Sequence, residues 1–88
     1  MTVYVDDGRW VLGRMRMSHM LADTPEELHA MADRLGLRRE WYQADASTPH
    51  YDVCRAKRRL AIELGARPVD RRGMVAVVRR LRAAGRGR

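Results

Sequence analysis

RMRMSHMLADTPEELHAMADRLG, residues 14–36, changes its hydrophobic period halfway along. Up to Ala22 it alternates, with Met15, Met17, His19 and Leu21 on one side and Arg16, Ser18, Met20 and Ala22 on the other, the period of two that a strand requires. From Thr24 the pattern turns helical. Thr24 is an N-cap residue, Pro25 suits the first helical position, and Glu27, three residues after Thr24, completes a capping box. Leu28, Met31, Ala32 and Leu35 then share one face, His29 lies beside it, and Gly36 supplies the left-handed stop. A strand that feeds a well-capped helix points to an α/β fold.

Upstream, TVYV reads as a short strand that stops at Asp6, Asp7 and Gly8, with a turn following and Trp10 as a hydrophobic plug. Downstream, REWYQ reads as a third strand and ADASTP as a loop, and a second helix is expected from Asp52, a natural N-cap, to Leu64, ended by Gly65. RPV is at best an edge strand, because Pro68 cannot donate to a ladder. A third helix buries Met74, Val77, Val78 and Leu81 and turns Arg79, Arg80 and Arg82 outward. Strand, helix, strand units favour parallel pairing. The expectation is therefore a small single-domain α/β sandwich over residues 1–84, with three or four short, mostly parallel strands, about three helices, and residues 85–88 as a basic disordered tail.

At 88 residues the chain has room for one core and no second catalytic domain, and a homodimer is a natural way to stabilise a unit of this size. The single cysteine, Cys54, cannot form an internal disulfide, and MTVYVDD lacks the basic start and apolar run of a signal peptide. No stretch approaches membrane-spanning length, so a cytoplasmic location with no membrane partner is expected. The formal charge of +7 is unevenly placed: residues 1–54 hold 6 basic and 9 acidic residues, a balance of −3, and residues 55–88 hold 12 and 2, a balance of +10. Such a basic half favours phosphate-rich partners, nucleic acid or nucleotide, with Arg79, Arg80 and Arg82 as the contacts on nucleic acid.

Chemistry-bearing residues concentrate in the other half. His19, Asp23, His50 and Asp52 have the ligand types for a divalent metal ion or for a general acid and base, although their spacing matches no strong zinc pattern. Asp23 and Asp52 each precede a helix and are satisfied there by capping alone, and a lone histidine among methionines is an ordinary strand residue. His50 stands in a loop just before a helix, where functional groups collect. The ligand-binding set is Asp7, His19, Asp23, His50, Asp52 and Lys57, and the metal set within it is His19, Asp23 and His50. Asp6 and Asp7 have the character of the paired acids used in metal-dependent phosphoryl transfer, but a short turn after the first strand puts them at the opposite sheet end from Asp23. Lys57 and Arg58 could face a phosphate at a helix N-terminus or form a solvated face. No Gly-rich phosphate loop, GxSxG or CxxC is present.

YVDD, GRMRMSHMLADT, EELHAMADRLG, HYDV and GARPV resemble, over nearly the whole chain, a family of small bacterial and phage proteins classed as domain of unknown function 4031. Lys57 and VRRLRAAG look like family features too, whereas Gly73 departs from an acidic helix starter. The resemblance implies a shared fold and brings no activity with it. The residues themselves leave three functions: recognition of a phosphate-containing ligand through the His/Asp cluster and the basic half, a small metal-dependent phosphoester hydrolase, or a non-catalytic protein interaction module.

Overall fold

The computed structural model describes residues 2–8 and 10–86, without the side chains of residues 10–12 and 85–86. The elements are β1 (Val3–Val5), β2 (Trp10–Leu12), β3 (Met15–Ala22), α1 (Pro25–Arg34), a 3-10 turn (Arg39–Trp41), β4 (Tyr51–Cys54), α2 (Arg55–Glu63), β5 (Arg67–Pro68) and α3 (Arg71–Arg86). The plug expected of Trp10 concerns a side chain outside the described residues, as does the end of the tail at 87–88.

The organising strand is β3. Met20 faces Val5 of β1 on one edge and Tyr51 of β4 on the other, and Met17 likewise lies between Trp10 of β2 and Cys54 of β4. β1 and β2 therefore occupy the same edge. From Val5 to Trp10 the chain advances five residues while β3, from Met20 to Met17, advances three, so two extra residues bulge out between the two short strands. Gly8 lies in that bulge with φ +67°, and a Cβ there would stand 2.8 Å from Ser18 Oγ, so glycine is required twice over. The β2–β3 hairpin closes through Gly13 and Arg14, with Gly13 at φ +60° in the first central position.

The sheet is thus β4, β3, β1 with β2, and β5, and among the described strands only β1–β5 pair in parallel. The expectation of mostly parallel strands is overturned. The reason is the length of the connection after α1: residues 37–50 return the chain to the end where β3 finishes, so β4 enters antiparallel. Within that connection REWYQ is no strand. Arg39–Trp41 form a 3-10 turn, and Gln43 makes an isolated bridge to His50. HYDV is likewise strand and not helix entrance, with Tyr51 and Val53 buried and Asp52 and Cys54 turned to the other face, so α2 begins at Arg55 instead of Asp52.

The helix stops follow the sequence closely. Leu37 N–H donates to Ala32 O (2.9 Å) and Gly36 N–H to Asp33 O (3.1 Å); after α2, Ala66 N–H donates to Ala61 O (2.8 Å) and Gly65 N–H to Ile62 O (3.0 Å). Both glycines have positive φ, so each helix ends in a Schellman motif. The start of α1 is capped as expected, Glu27 N–H donating to Thr24 Oγ1 at 3.3 Å.

α1 and α2 cover one face of the sheet, packing Leu28, Met31, Ala32 and Ala61 against Val3, Val5, Met20, Ala22, Tyr51 and Val53. α3 covers part of the other, where Met74 and Val77 meet Tyr4 and Leu21. The result is a small three-layer α/β sandwich. Among the described residues, no helix is long and apolar enough to cross a membrane.

Candidate functional site

The α3 face carries a row of polar residues that the helix does not cover completely. Asp6 extends the β1 register so that its N–H reaches His19 O (3.2 Å), and His19 is directly paired with Asp52 on β4. Asp6, His19 and Asp52 thereby lie side by side across three strands. His50, next before β4, stacks edge-on against His19 with ring centroids 5.2 Å apart.

Both imidazoles are oriented from behind. His19 Nδ1–H donates to Asp6 Oδ2 at 2.7 Å, while Asp6 Oδ1 accepts the backbone N–H of His19 (3.0 Å) and of Gly8 (3.2 Å). Arg58 Nε donates to the Asp6 carbonyl at 2.6 Å, tying α2 to the bulge. His50 Nδ1–H donates to Thr48 O at 3.0 Å. These partners assign the Nδ1–H form to each ring, and a backing carboxylate or carbonyl is what fixes a metal-ligating histidine elsewhere. Each Nε2 faces Asp52 Oδ1, at 4.0 Å from His19 and 3.3 Å from His50.

Asp52 Oδ2 accepts a hydrogen bond from Gln43 Nε2, whereas Oδ1 is buried and accepts none. One ligand atom from each of His19, His50 and Asp52 falls within 4.8 Å of the others. Lone pairs converging at this range around a carboxylate repel unless positive charge lies among them. Two histidines and one carboxylate are a ligand set for zinc or another divalent first-row ion, and three protein ligands leave further positions open.

The local electrostatics follow from these contacts. Burial alone would raise the Asp6 carboxyl, but hydrogen bonds from the His19 ring and from the His19 and Gly8 amides bring it below 3.8. The hydrogen bond to Asp6 outweighs burial and raises His19 above 6.5. The His19 contribution to stability is complete below 6.5 and fades as pH rises through the raised value. The Asp6 contribution is present above 3.8 and fades as pH falls through the lowered value.

The remaining expected residues separate. Asp23 lies four residues beyond His19, about 13 Å along extended chain. There it accepts Tyr4 OH (2.9 Å), the Thr2 amide (3.0 Å) and Arg80 Nη2 (3.0 Å), so Asp52 stands with the histidines in the place expected of Asp23. Arg80, expected to face outward toward nucleic acid, also donates to Tyr4 OH at 2.7 Å. Arg82 reaches Thr48 Oγ1 (3.1 Å) and Ser47 Oγ (2.5 Å). Lys57 Nζ donates to Leu35 O at 2.7 Å, closing the end of α1. His29 bonds the hydroxyl of buried Tyr51 (2.8 Å) under α1, away from the α3 face. Asp7 lines a cleft of about 480 Å³ with Asp6, His19, Arg71, Arg79 and Arg82.

Sequence reasoning missed Gln43, which orients Asp52, and Arg71, which lines the cleft. Gln43 had no local signal, because its relation to Asp52 comes from a bridge outside the regular strands.

The fold and this polar row define a small α/β domain with a two-histidine, one-carboxylate cluster. A family model described as "Protein of unknown function (DUF4031)" matches residues 3–82, and the chain belongs to that family. No curated protein and no solved structure matches the chain.

Proposed function

We propose that the protein binds a divalent transition-metal ion at His19 Nε2, His50 Nε2 and Asp52 Oδ1 and uses it to hydrolyse a phosphate ester. The observation that carries this reading is the convergence of the three atoms, with both Nδ1 positions already occupied and Asp52 Oδ1 buried without a hydrogen bond. An ion in such an open set supplies a bound water of lowered pKa and polarises a phosphoryl oxygen. Held by His19, His50 and Asp52, the ion would supply the activation needed for water to replace the ester oxygen on phosphorus, with the proton lost by the water passing to solvent and the departing alkoxide taking one from it. Arg71 and Arg79, which line the same cleft as His19, supply charge for the phosphate. This reading joins the phosphate-ligand and hydrolase functions left by the sequence. It opposes the interaction module, in which His50 and Asp52 form an ordinary ion pair.

The test is a Zn²⁺ titration of the full chain followed by thermal denaturation, with Asp52→Asn as comparison. Binding at 100 times the dissociation constant should add about 2.7 kcal/mol to wild-type stability. Asp52→Asn should weaken binding at least ~10-fold, about 1.4 kcal/mol. In metal-free protein the same change should leave Tm equal or higher, because the new amide can donate to His50 Nε2 while its oxygen keeps Gln43. A wild type indifferent to Zn²⁺, or a metal-free variant that melts earlier, would show a structural ion pair instead. Cleavage of bis(p-nitrophenyl) phosphate by the Zn²⁺- or Mn²⁺-loaded protein, lost in His50→Gln, tests the hydrolytic half.

A further inference from the structure

Two dissimilar depressions flank the polar row. On the β1 side is the cleft of about 480 Å³ beneath α3, lined by Asp6, Asp7 and His19 from the sheet side and by Arg71 and Arg79 from the helix. On the β4 side is a depression of about 650 Å³, in which Asp52 and Gln43 adjoin Met15, Met17, Cys54 and Trp41. Trp41 is 52% exposed and Met15 50%, in a chain that buries most of its large apolar side chains. Arg38 lies over the Trp41 ring at 5.9 Å. An indole and two thioethers beside a polar cluster form a surface for a flat, polarisable ring.

The two depressions meet at the row itself, since His19 lines the first and Asp52, its cross-strand partner, lines the second. The outer members of the row, on β1 and β4, are two strand spacings apart, about 10 Å. A ligand crossing the row would be anionic at one end and aromatic at the other, with its phosphate ester linkage over the metal ligands. We propose that the substrate is a nucleoside phosphate, its phosphate toward Arg71 and Arg79 and its base on Trp41, Met15 and Met17. This rests on the metal reading given above. It adds that the base, and not only the phosphate, is recognised. The +10 balance of residues 55–88 complements the anionic end, and the apolar depression complements the uncharged one.

The experiment uses the full chain loaded with Zn²⁺ and measures binding of AMP, ribose 5-phosphate and adenosine by calorimetry. AMP is expected to bind at least ~10-fold more tightly than ribose 5-phosphate, a difference of about 1.4 kcal/mol assignable to the base. Trp41→Leu should remove that preference and leave ribose 5-phosphate unchanged, and Arg79→Ala should weaken both phosphates but not adenosine. Equal binding of AMP and ribose 5-phosphate to zinc-loaded protein would overturn the base site and leave the metal centre standing. A chain that takes up no Zn²⁺ sinks both. Sedimentation of the same samples decides the other occupant: a dimer that AMP does not dissociate, but that Trp41→Leu does, would make the depression a contact between copies and refute the proposal. A single-stranded oligonucleotide in place of AMP distinguishes a free nucleotide from one carried on a strand.

Discussion

The two faces of the sheet are built from alternate residues of the same strands and are put to opposite uses. Toward α1 and α2, Val3, Val5, Met20, Ala22, Tyr51 and Val53 make an apolar surface under two helices. Toward α3, the apolar contact is confined to Tyr4 and Leu21, and the next positions along β3 and β4 are His19, Asp52 and His50. One face therefore holds most of the hydrophobic stabilisation, and the other carries the polar cluster. The strand period makes this division possible, because a one-residue slip would exchange the two faces.

Substitutions on the two faces should separate stability from binding. The largest effect is expected at Met20, fully buried between Val5 and Tyr51: Met20→Ala should lower the unfolding free energy by about 2–5 kcal/mol in urea denaturation. A loss under about 1 kcal/mol would mean the two-helix face is less tightly packed than the contacts indicate. Gly8→Ala comes next, at about 1–3 kcal/mol, since it places a side chain at positive φ and against Ser18 Oγ. Because that bulge presents Asp6 to His19, the same variant should also weaken Zn²⁺ binding, which Met20→Ala in its folded fraction should not.

A smaller effect belongs to Asp23. Burial opposes its ionisation, but Tyr4, Arg80 and the Thr2 amide together hold its carboxyl below 3.8. Its contribution is present above that value and is lost as pH falls through the lower folded one. Asp23→Asn should flatten the acid side of the stability profile and leave Zn²⁺ affinity unchanged; a parallel fall in affinity would add Asp23 to the proposed metal ligands. The smallest change is expected at Met15, where Met15→Ala should shift stability by less than about 0.5 kcal/mol while reducing the preference for AMP.

The contrast between local and distant determinants also governs how much the sequence discloses. α1 is legible almost to the residue, because Thr24, Pro25, Glu27 and Gly36 act within a few positions of one another. Gly65 ends α2 for the same reason. The start of α2 lies three residues later than its local pattern suggests. Asp52 has the character of a helix cap when only its neighbours are considered, and its strand role comes from pairing with His19, 33 residues away. That pairing also decides the site. His19 and His50 are legible as ligand types, but whether Asp23 or Asp52 lies beside them depends on register and strand direction, which no local pattern carries. The outward arginines are legible as charge and not as contacts: Arg80 has the helical position of a solvated residue, yet its guanidinium joins Tyr4 and Asp23 from more than fifty positions along the chain.

The two-residue strand β5 has a consequence for solubility. Its Arg67 and Pro68 form the outer strand beyond β1, and both are exposed. Proline offers no amide hydrogen to an incoming strand, and a cation beside it repels another copy of the same basic edge. At the opposite margin, the Gln43 bridge to His50 occupies the approach to β4. The margins beside β1 and next to the start of β4 are thus less open to edge-to-edge pairing with another copy.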